Sequence, residues 1–434
     1  MTNRRPTALL AADCYPPSVG GTERHVELVA RGLADRGWRV VVVTSMHPTE
    51  PDRVVDGSHA ADGAGSLEVR RLSGWARVIQ RWGASDDHRY PAPAPDPGLV
   101  SAIAGVVDEV RPDVIHAHGW IVHDLIGTAR RRRVPLVLSL HDYGMSCPTR
   151  TMLRHTRSGD APCGGPTPVR CGPCVARNDG VIVGTALWAG VRLGRHRLGG
   201  IDAWIANSTA VADAVRAGGV PVRDVRIVPP APVQVAAAGT PRPTWMPSGR
   251  VWMFAGALRP HKGVDVLAEA WRRFSNMVPE TDRPTLLAVG TSWVDSPTVV
   301  GIDVVPAVPH REVLAAWGHA EVAVVPSRWP EPYGMVAAEA MAAGCAVVAS
   351  DTGGLGELVD DGIDGLLVTP GDPVTLCEAF VALHADPALA ALLGTAARAA
   401  SAARAVDPVD AITAIYAEVM RRRAPSTSEH RLLP

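Results

Sequence analysis

Lysine is all but missing from this chain: of 43 basic residues only one, Lys262, is Lys, and the others are Arg. Abundant Arg, Ala and Gly is what a genome favouring Arg codons produces. In such a background a solitary Lys is either an accident or a place that requires a compact ammonium. Net charge is scarce as well, −1 at pH 7, so there is no whole-chain basic field to gather nucleic acid. No apolar run reaches the roughly 20 residues of a membrane-spanning helix. Residues 1–12 place Arg4 and Arg5 before an apolar run, as a signal peptide would. Yet Pro6 leads straight into a strand-like stretch, and Asp13 follows without a small-residue cleavage site. The stretch is therefore read as the first β-strand and the protein as cytoplasmic.

What is present is a globular composition, 434 residues with 47% hydrophobic and 20% charged, long enough for two or three domains. Short β-branched runs alternate with helical patterns. Residues 7–12 read as a strand; 21–32 follow as a helix, with Val26, Val29, Ala30 and Leu33 on one face. Further strands are expected at 39–44, 113–117, 136–140, 203–206 and 225–229. Runs without polar alternation suit a parallel sheet covered on both faces. Residues 231–248, with Pro232, Pro241, Pro243 and Pro247, read as a linker. The rhythm then restarts at 251–255, 285–289, 302–305, 322–325, 346–350 and 365–368. Residues 50–66 and 84–98 read as loops. Two βαβ series predict an α/β chain of two doubly wound, Rossmann-like domains facing across a cleft, with ligands at the carboxyl ends of the strands. The expected division is 1–235, then 245–405, a C-terminal helix at 406–424 packing back on the first domain, and a disordered tail at 425–434.

Within Glu331-Pro332-Tyr333-Gly334-Met335, Pro and Gly keep Glu331 in a loop, and a helix runs from Met335 to Gly344. Glu339 is the only charge in that helix, and its neighbours are apolar all round. A buried carboxylate without partners is costly. Glu339 therefore either pairs locally or accepts hydrogen bonds from a ligand's hydroxyls, such as those of a ribose. Glu331 at the helix mouth could grip sugar hydroxyls, and the N–H groups near Tyr333 and Gly334 offer an anion site. In Gly256-Ala257-Leu258-Arg259-Pro260-His261-Lys262-Gly263 a tight turn sets two cations three positions apart before a helix. Arg259 offers a fork to phosphate oxygens and Lys262 a point charge. Two fixed cations can stabilise a departing diphosphate without a metal; a solvated turn is the plainer alternative. Base recognition by backbone near 308–310 is expected.

These segments, with Pro326-Ser327 and Gly353-Gly354…Glu357, resemble the large retaining GT-B glycosyltransferases of family 4. So do Gly20-Gly21-Thr22-Glu23-Arg24-His25, Val114-Ile115-His116-Ala117-His118 and His141-Asp142-Tyr143. The resemblance runs to about residue 400. It implies that Gly20 and Gly21 approach the donor phosphates, and that His141 lies beside the donor sugar. Arg259 and Lys262 would hold the diphosphate, Glu331 would contact the sugar, and Glu339 the ribose. It further implies transfer from a UDP- or GDP-sugar to a hydroxyl of a saccharide, lipid-linked or natural-product acceptor, with retention through an oxocarbenium-like ion pair. No cofactor is required for that chemistry. A sugar-nucleotide epimerase or hydrolase of the same fold, and a non-catalytic nucleotide-sugar binder, are the alternatives. The chain departs from the family where Val228 is followed by Pro229-Pro230-Ala231-Pro232, a rigid stretch that bears on the hinge.

Cys147, Cys163, Cys171 and Cys174 fall in one loop-rich insertion at about 145–180, spaced C-x15-C-x7-C-x2-C. In a cytoplasmic protein this spacing favours a structural Cys₄ zinc over disulfides, with unligated thiols as the third reading. Cys14, Cys345 and Cys377 read as ordinary buried thiols. Residues 181–198 form a basic amphipathic segment that would either pack on the first domain or touch an anionic inner membrane face. His116, His118, His123 and His155 suggest a metal cluster at first sight, but no HxxxH or HExxH pattern is present, and each reads singly as an ordinary polar residue.

Overall fold

A computed structural model describes residues 4–18, 20–45, 53–56, 65–75, 92–157, 159–230, 235–291 and 301–423. Most of the two expected loops, the start of the linker and the expected tail lie outside the described residues. The first half comprises β1 (Thr7–Ala12), α1 (Gly21–Asp35), β2 (Arg39–Ser45), β3 (Arg53–Asp56), β4 (Ser66–Leu72), α2 (Pro97–Val110), β5 (Val114–His118), α3 (Val122–Arg132) and β6 (Leu136–Leu140). It continues with β7 (Leu153–Thr156), β8 (Gly159–Pro162), α4 (Pro168–Asp179), α5 (Val181–Gly194), β9 (Ala203–Ala206), α6 (Thr209–Ala217) and β10 (Val225–Ile227). The second half has β11 (Val251–Ala255), α7 (Val264–Met277), β12 (Thr285–Gly290), β13 (Ile302–Pro306), α8 (His310–Trp317), β14 (Val322–Val325), α9 (Met335–Ala343) and β15 (Ala346–Ser350). It closes with α10 (Leu355–Leu358), β16 (Leu366–Val368), α11 (Pro373–Ala385), α12 (Pro387–Ala403) and α13 (Pro408–Arg423).

The first sheet runs β10-β9-β6-β5-β1-β2-β4-β3 and the second β13-β12-β11-β14-β15-β16. All neighbours are parallel except the edge strand β3, which runs antiparallel to β4. In both sheets the strand order reverses beside the first strand, between β1 and β5 and between β11 and β14. Such a reversal leaves a crevice at the carboxyl ends, where loops diverge to opposite faces. The central strands are buried without interruption; β1, β5, β6, β11 and β15 have no exposed residue. Each sheet is accordingly covered on both faces, giving two core clusters per sheet.

β4 escaped the sequence reading because it carries Glu68, Arg70 and Arg71, all buried. Arg70 is satisfied by Glu68 at 2.7 Å and by both oxygens of Glu109 at 2.6 and 2.7 Å, so the charges enter the sheet as a paired network. After α12 the chain returns to the first sheet. α13 inserts Val409, Ile412, Ile415, Tyr416 and Val419 into a core made by β1, β2 and α1. Its rim is tied by Arg36 to Asp407 and by Arg423 to Asp202, both at 2.7 Å.

Candidate active site

The turn after β11 is built by close packing. Gly263 sits at φ 75°, a left-handed geometry that suits glycine, and a Cβ there would collide with the carbonyl of Pro326 at the end of β14. Pressing these two turns together brings Lys262 onto Glu331, with Nζ 2.7 Å from Oε1. Ser327 donates its hydroxyl to the same oxygen at 2.7 Å, and the ammonium stands 5.0 Å from the centre of the Trp329 ring. Burial alone would push the Glu331 carboxyl up. Lys262, Ser327 and Trp329 outweigh it and hold the group below its ordinary value. Glu331 is therefore a carboxylate at neutral pH. Arg259 lies in extended backbone just ahead of the single 3₁₀ turn Pro260–Lys262. The two cations, after burial, depress the intervening His261 to about 4.

The backbone of Glu331 is clamped by the next loop: Gly354 donates its N–H to the Glu331 carbonyl at 2.6 Å. Gly334, at φ 95°, then turns the chain into α9, and a Cβ there would strike Leu355. Across the cleft, a Cβ on Gly21 would have Met335 at the head of α9 as its nearest neighbour, 4.0 Å away. The glycine loop after β1 thus faces the mouth of α9. One turn into that helix, Glu339 is buried, with Oε1 2.8 Å from Nε2 of His310, the first residue of α8.

The opposing wall is a cluster of imidazoles. His118 at the end of β5 has Nδ1 2.8 Å from Nε2 of His141, which follows β6, and their rings stack at 5.1 Å. His25 of α1 meets His141 edge-on at 5.0 Å, and one ring nitrogen from each of the three lies within 4.8 Å of the others. Burial, then neighbouring positive charge, lowers His141 to about 3 and His25 likewise, so the cluster is neutral at physiological pH. Behind it, His116 has Nδ1 2.7 Å from the Tyr416 hydroxyl and Nε2 2.8 Å from the Ser139 hydroxyl. Beside it, Arg150 bridges Asp142 at 2.6 Å and Asp13 at 3.5 Å. Asp13 also accepts the N–H groups of Trp120 and Ile121 at 3.0 and 2.8 Å. Burial outweighs these partners and raises its carboxyl to about 6.

One electrostatic coupling and one pair of hydrogen bonds link the walls. Tyr143, two residues beyond His141, has its phenol pKa raised by burial and then by the negative charge of Glu331 on the opposite domain. Glu357 reaches across to accept the N–H groups of Thr209 and Ala210 at 2.9 and 2.6 Å, capping α6.

Known proteins share the sequence pattern and the fold. Residues 19–231 match the family described as Glycosyltransferase Family 4, and residues 249–386 match that described as Glycosyl transferases group 1. The chain belongs to the group 1, family 4 glycosyltransferases. It is 27% identical over 412 residues to a glycogen synthase of Mycobacterium tuberculosis, covering 88% of this chain and 87% of that one. It is 30% identical over 310 residues to D-inositol 3-phosphate glycosyltransferase 1 of Catenulispora acidiphila, 64% and 65% of the two chains. Among solved structures, sucrose-phosphate synthase of Thermosynechococcus elongatus superposes with a TM-score of 0.69 at 20% identity, over 96% of this chain and all of that one. HepE of Anabaena in complex with UDP does so at 0.62 and 20%, with the same coverage. The fold of this glycosyltransferase is GT-B.

Of the residues singled out in the sequence, Arg259, Lys262, Glu331, Tyr333, Gly334 and Glu339 sit on turns and a helix at the carboxyl edge of the second sheet. Gly20, Gly21 and His141 sit at the matching edge of the first. Two expectations change, and one contact is added: His310 reaches Glu339 from another helix. His118 is no solitary polar residue, but the direct partner of His141. Cys14 is half-buried, whereas Cys345 and Cys377 are buried. Asp13, Arg150 and the Glu357 contact escaped the sequence reading, since each links segments far apart in the chain.

Proposed function

We propose that this glycosyltransferase moves a hexosyl group from a UDP- or GDP-sugar to an acceptor hydroxyl with retention of anomeric configuration. The Lys262–Glu331 contact carries the reading. A carboxylate fit to grip sugar hydroxyls and an ammonium fit to neutralise a departing diphosphate lie together at the helix mouth that faces Gly20 and Gly21. The ammonium has three donors; with one spent on Glu331, others can reach phosphate oxygens, and Arg259 adds a guanidinium fork. Negative charge would then develop where cations are already fixed, without a metal. Tyr333 and Gly334 line the anion-binding head of α9, and Glu339 with His310 would take the ribose hydroxyls. His141, neutral and backed by His118, can accept or donate a hydrogen bond near the reacting carbon without competing for the charge. Retention would follow front-face attack, the departing phosphate taking the acceptor's proton. The names of the similar proteins, glycogen synthase and a HepE complex with UDP, support a nucleotide donor and a saccharide acceptor.

On the acceptor side, α5 exposes Val181, Ile182 and Val183 beside Arg177 and Arg192. This mixture supports peripheral contact with an anionic membrane surface and a lipid-linked acceptor. No single helix among the described residues is long and apolar enough to cross a membrane. Free thiols throughout support a reducing, cytoplasmic setting.

A panel of UDP-, GDP- and TDP-sugars tests the donor. One of the UDP or GDP set should raise Tm and be consumed when acceptor is added, with an anomeric proton coupling matching that of the donor. An inverted product would discard the retaining assignment, and release of a free altered sugar would favour the epimerase reading.

A further inference from the structure

The insertion between β6 and β9 folds as a knuckle, a hairpin and a helix. Cys147 ends the turn after His141-Asp142-Tyr143, β7 and β8 form the two-stranded hairpin, Cys163 follows it, and Cys171 and Cys174 lie in the first two turns of α4. Cys147, Cys163, Cys171 and Cys174 together line one cavity, capped by Leu153 and Val175. An isolated two-stranded hairpin is marginal in water, and little apolar mass supports this one. Leu153, Cys171, Cys174 and Val175 are buried outside the core clusters of both domains, and Cys147 and Met152 tie the module to the core of the first. The small buried centre of this module is thus largely sulfur.

We propose that these four cysteines bind one structural Zn²⁺, which welds hairpin to helix. The spacing gives ligands from a knuckle and from a C-x2-C at a helix start, a donor set that zinc takes tetrahedrally. The sulfurs also have polar neighbours: the N–H of His155 points at Cys174 Sγ at 3.3 Å, and the Thr149 hydroxyl lies 3.3 Å from Cys147 Sγ. Four thiolates on Zn²⁺ leave net negative charge, and Arg154 and Arg170 line the same cavity. Binding would draw the sulfurs in from the cavity wall and release their protons. The ion also has a route to the cleft. Arg150, whose N–H bonds the Cys147 carbonyl at 3.0 Å, holds Asp142 and Asp13 beside His141. Zinc would therefore be a positioning element for that wall. Its effect on turnover rests on the proposed function, whereas binding itself does not.

The test uses full-length protein kept reduced and dialysed free of loose metal. Elemental analysis should find about one zinc per chain. Cobalt exchanged into the site should give thiolate charge-transfer bands and the visible bands of a tetrahedral centre. Cys171→Ser/Cys174→Ser should lose both signals, and Cys377→Ser should keep them. Should the double variant fail to fold, wild type stripped by chelator remains decisive: residues 147–174 should lose hydrogen-exchange protection while strand Leu136–Leu140 keeps it. Absence of retained zinc, or exchange unchanged by stripping, would overturn the proposal. So would metal that persists in the double cysteine variant and disappears in His118→Gln, which would move it to the imidazole cluster.

Discussion

Lys262 and Glu331, 69 positions apart, meet at 2.7 Å because a glycine at position 263 lets one turn press on the backbone of another. Two motifs that look independent in the sequence are thereby one object. Glu331→Gln should keep the fold and lower kcat/KM on the order of 10²-fold. Lys262→Arg should lower it by about tenfold although charge is kept, because a planar fork cannot replace a point donor in this gap. Steady-state kinetics with the identified donor checks both, and full activity in either variant would remove that residue from the site.

Removing the cation rather than replacing it should destabilise the fold. Lys262→Met leaves Glu331 buried without its main partner, a loss of about 3 kcal/mol. The depressed carboxyl pKa of Glu331 contributes stability that is present above its unfolded value of 4.5 and fades as pH falls through the folded value. Lys262→Met should therefore flatten the acid side of the Tm profile, and melts between pH 3 and pH 7 would reveal it.

The imidazoles act in the same direction along the pH axis, but their effect sets in at higher pH. His25, His116 and His141 have folded pKa values of about 3 against 6.5 unfolded. Below pH 6.5 the unfolded chain binds protons that the folded one refuses. Each such His then contributes up to about 1.4 kcal/mol of lost stability per pH unit between 6.5 and about 3. Tm should fall steeply over that window, and His118→Gln should leave the kcat profile without any new limb between pH 6 and 8. An activity limb near 6.5 that vanishes in His141→Asn would show instead that His141 is charged at work.

Glu357 caps α6 from the other domain, so it should favour the closed cleft. Glu357→Ala should cost that state about 1 kcal/mol. The radius of gyration in solution should grow, and the donor KM should rise more than kcat falls. Identical scattering curves would show that the contact does not govern closure.

Tyr416→Phe removes a hydroxyl that bonds the buried His116. The orphaned ring nitrogen should cost about 1–3 kcal/mol, seen as a lower Tm with little change in KM.

Much of this was legible in the sequence, and for a definite reason. Each half of the fold is a repeat of β-branched run, turn and helix, and the candidate residues on the second sheet lie in short contiguous stretches whose turns follow from Gly and Pro. Glu331, Gly334 and Glu339 could be placed because the helix that follows is apolar but for one carboxylate. The buried pairing of Arg70 with Glu68 and Glu109 was hidden, since charges in a strand imitate a surface loop. His310 with Glu339, and Arg150 with Asp13, were hidden because parallel sheets bring together residues that no local pattern links. The four cysteines stood out by spacing alone, and only the folded chain adds how little else is buried around them.

The return of α13 to the first sheet has a mechanical side. The polypeptide passes from one lobe to the other and back, so the lobes are joined by two crossings instead of one tether. A single tether allows swivelling in any direction. Two connections remove some of those directions, so the carboxyl edges that carry Lys262 and His141 are held in a narrower range of relative positions.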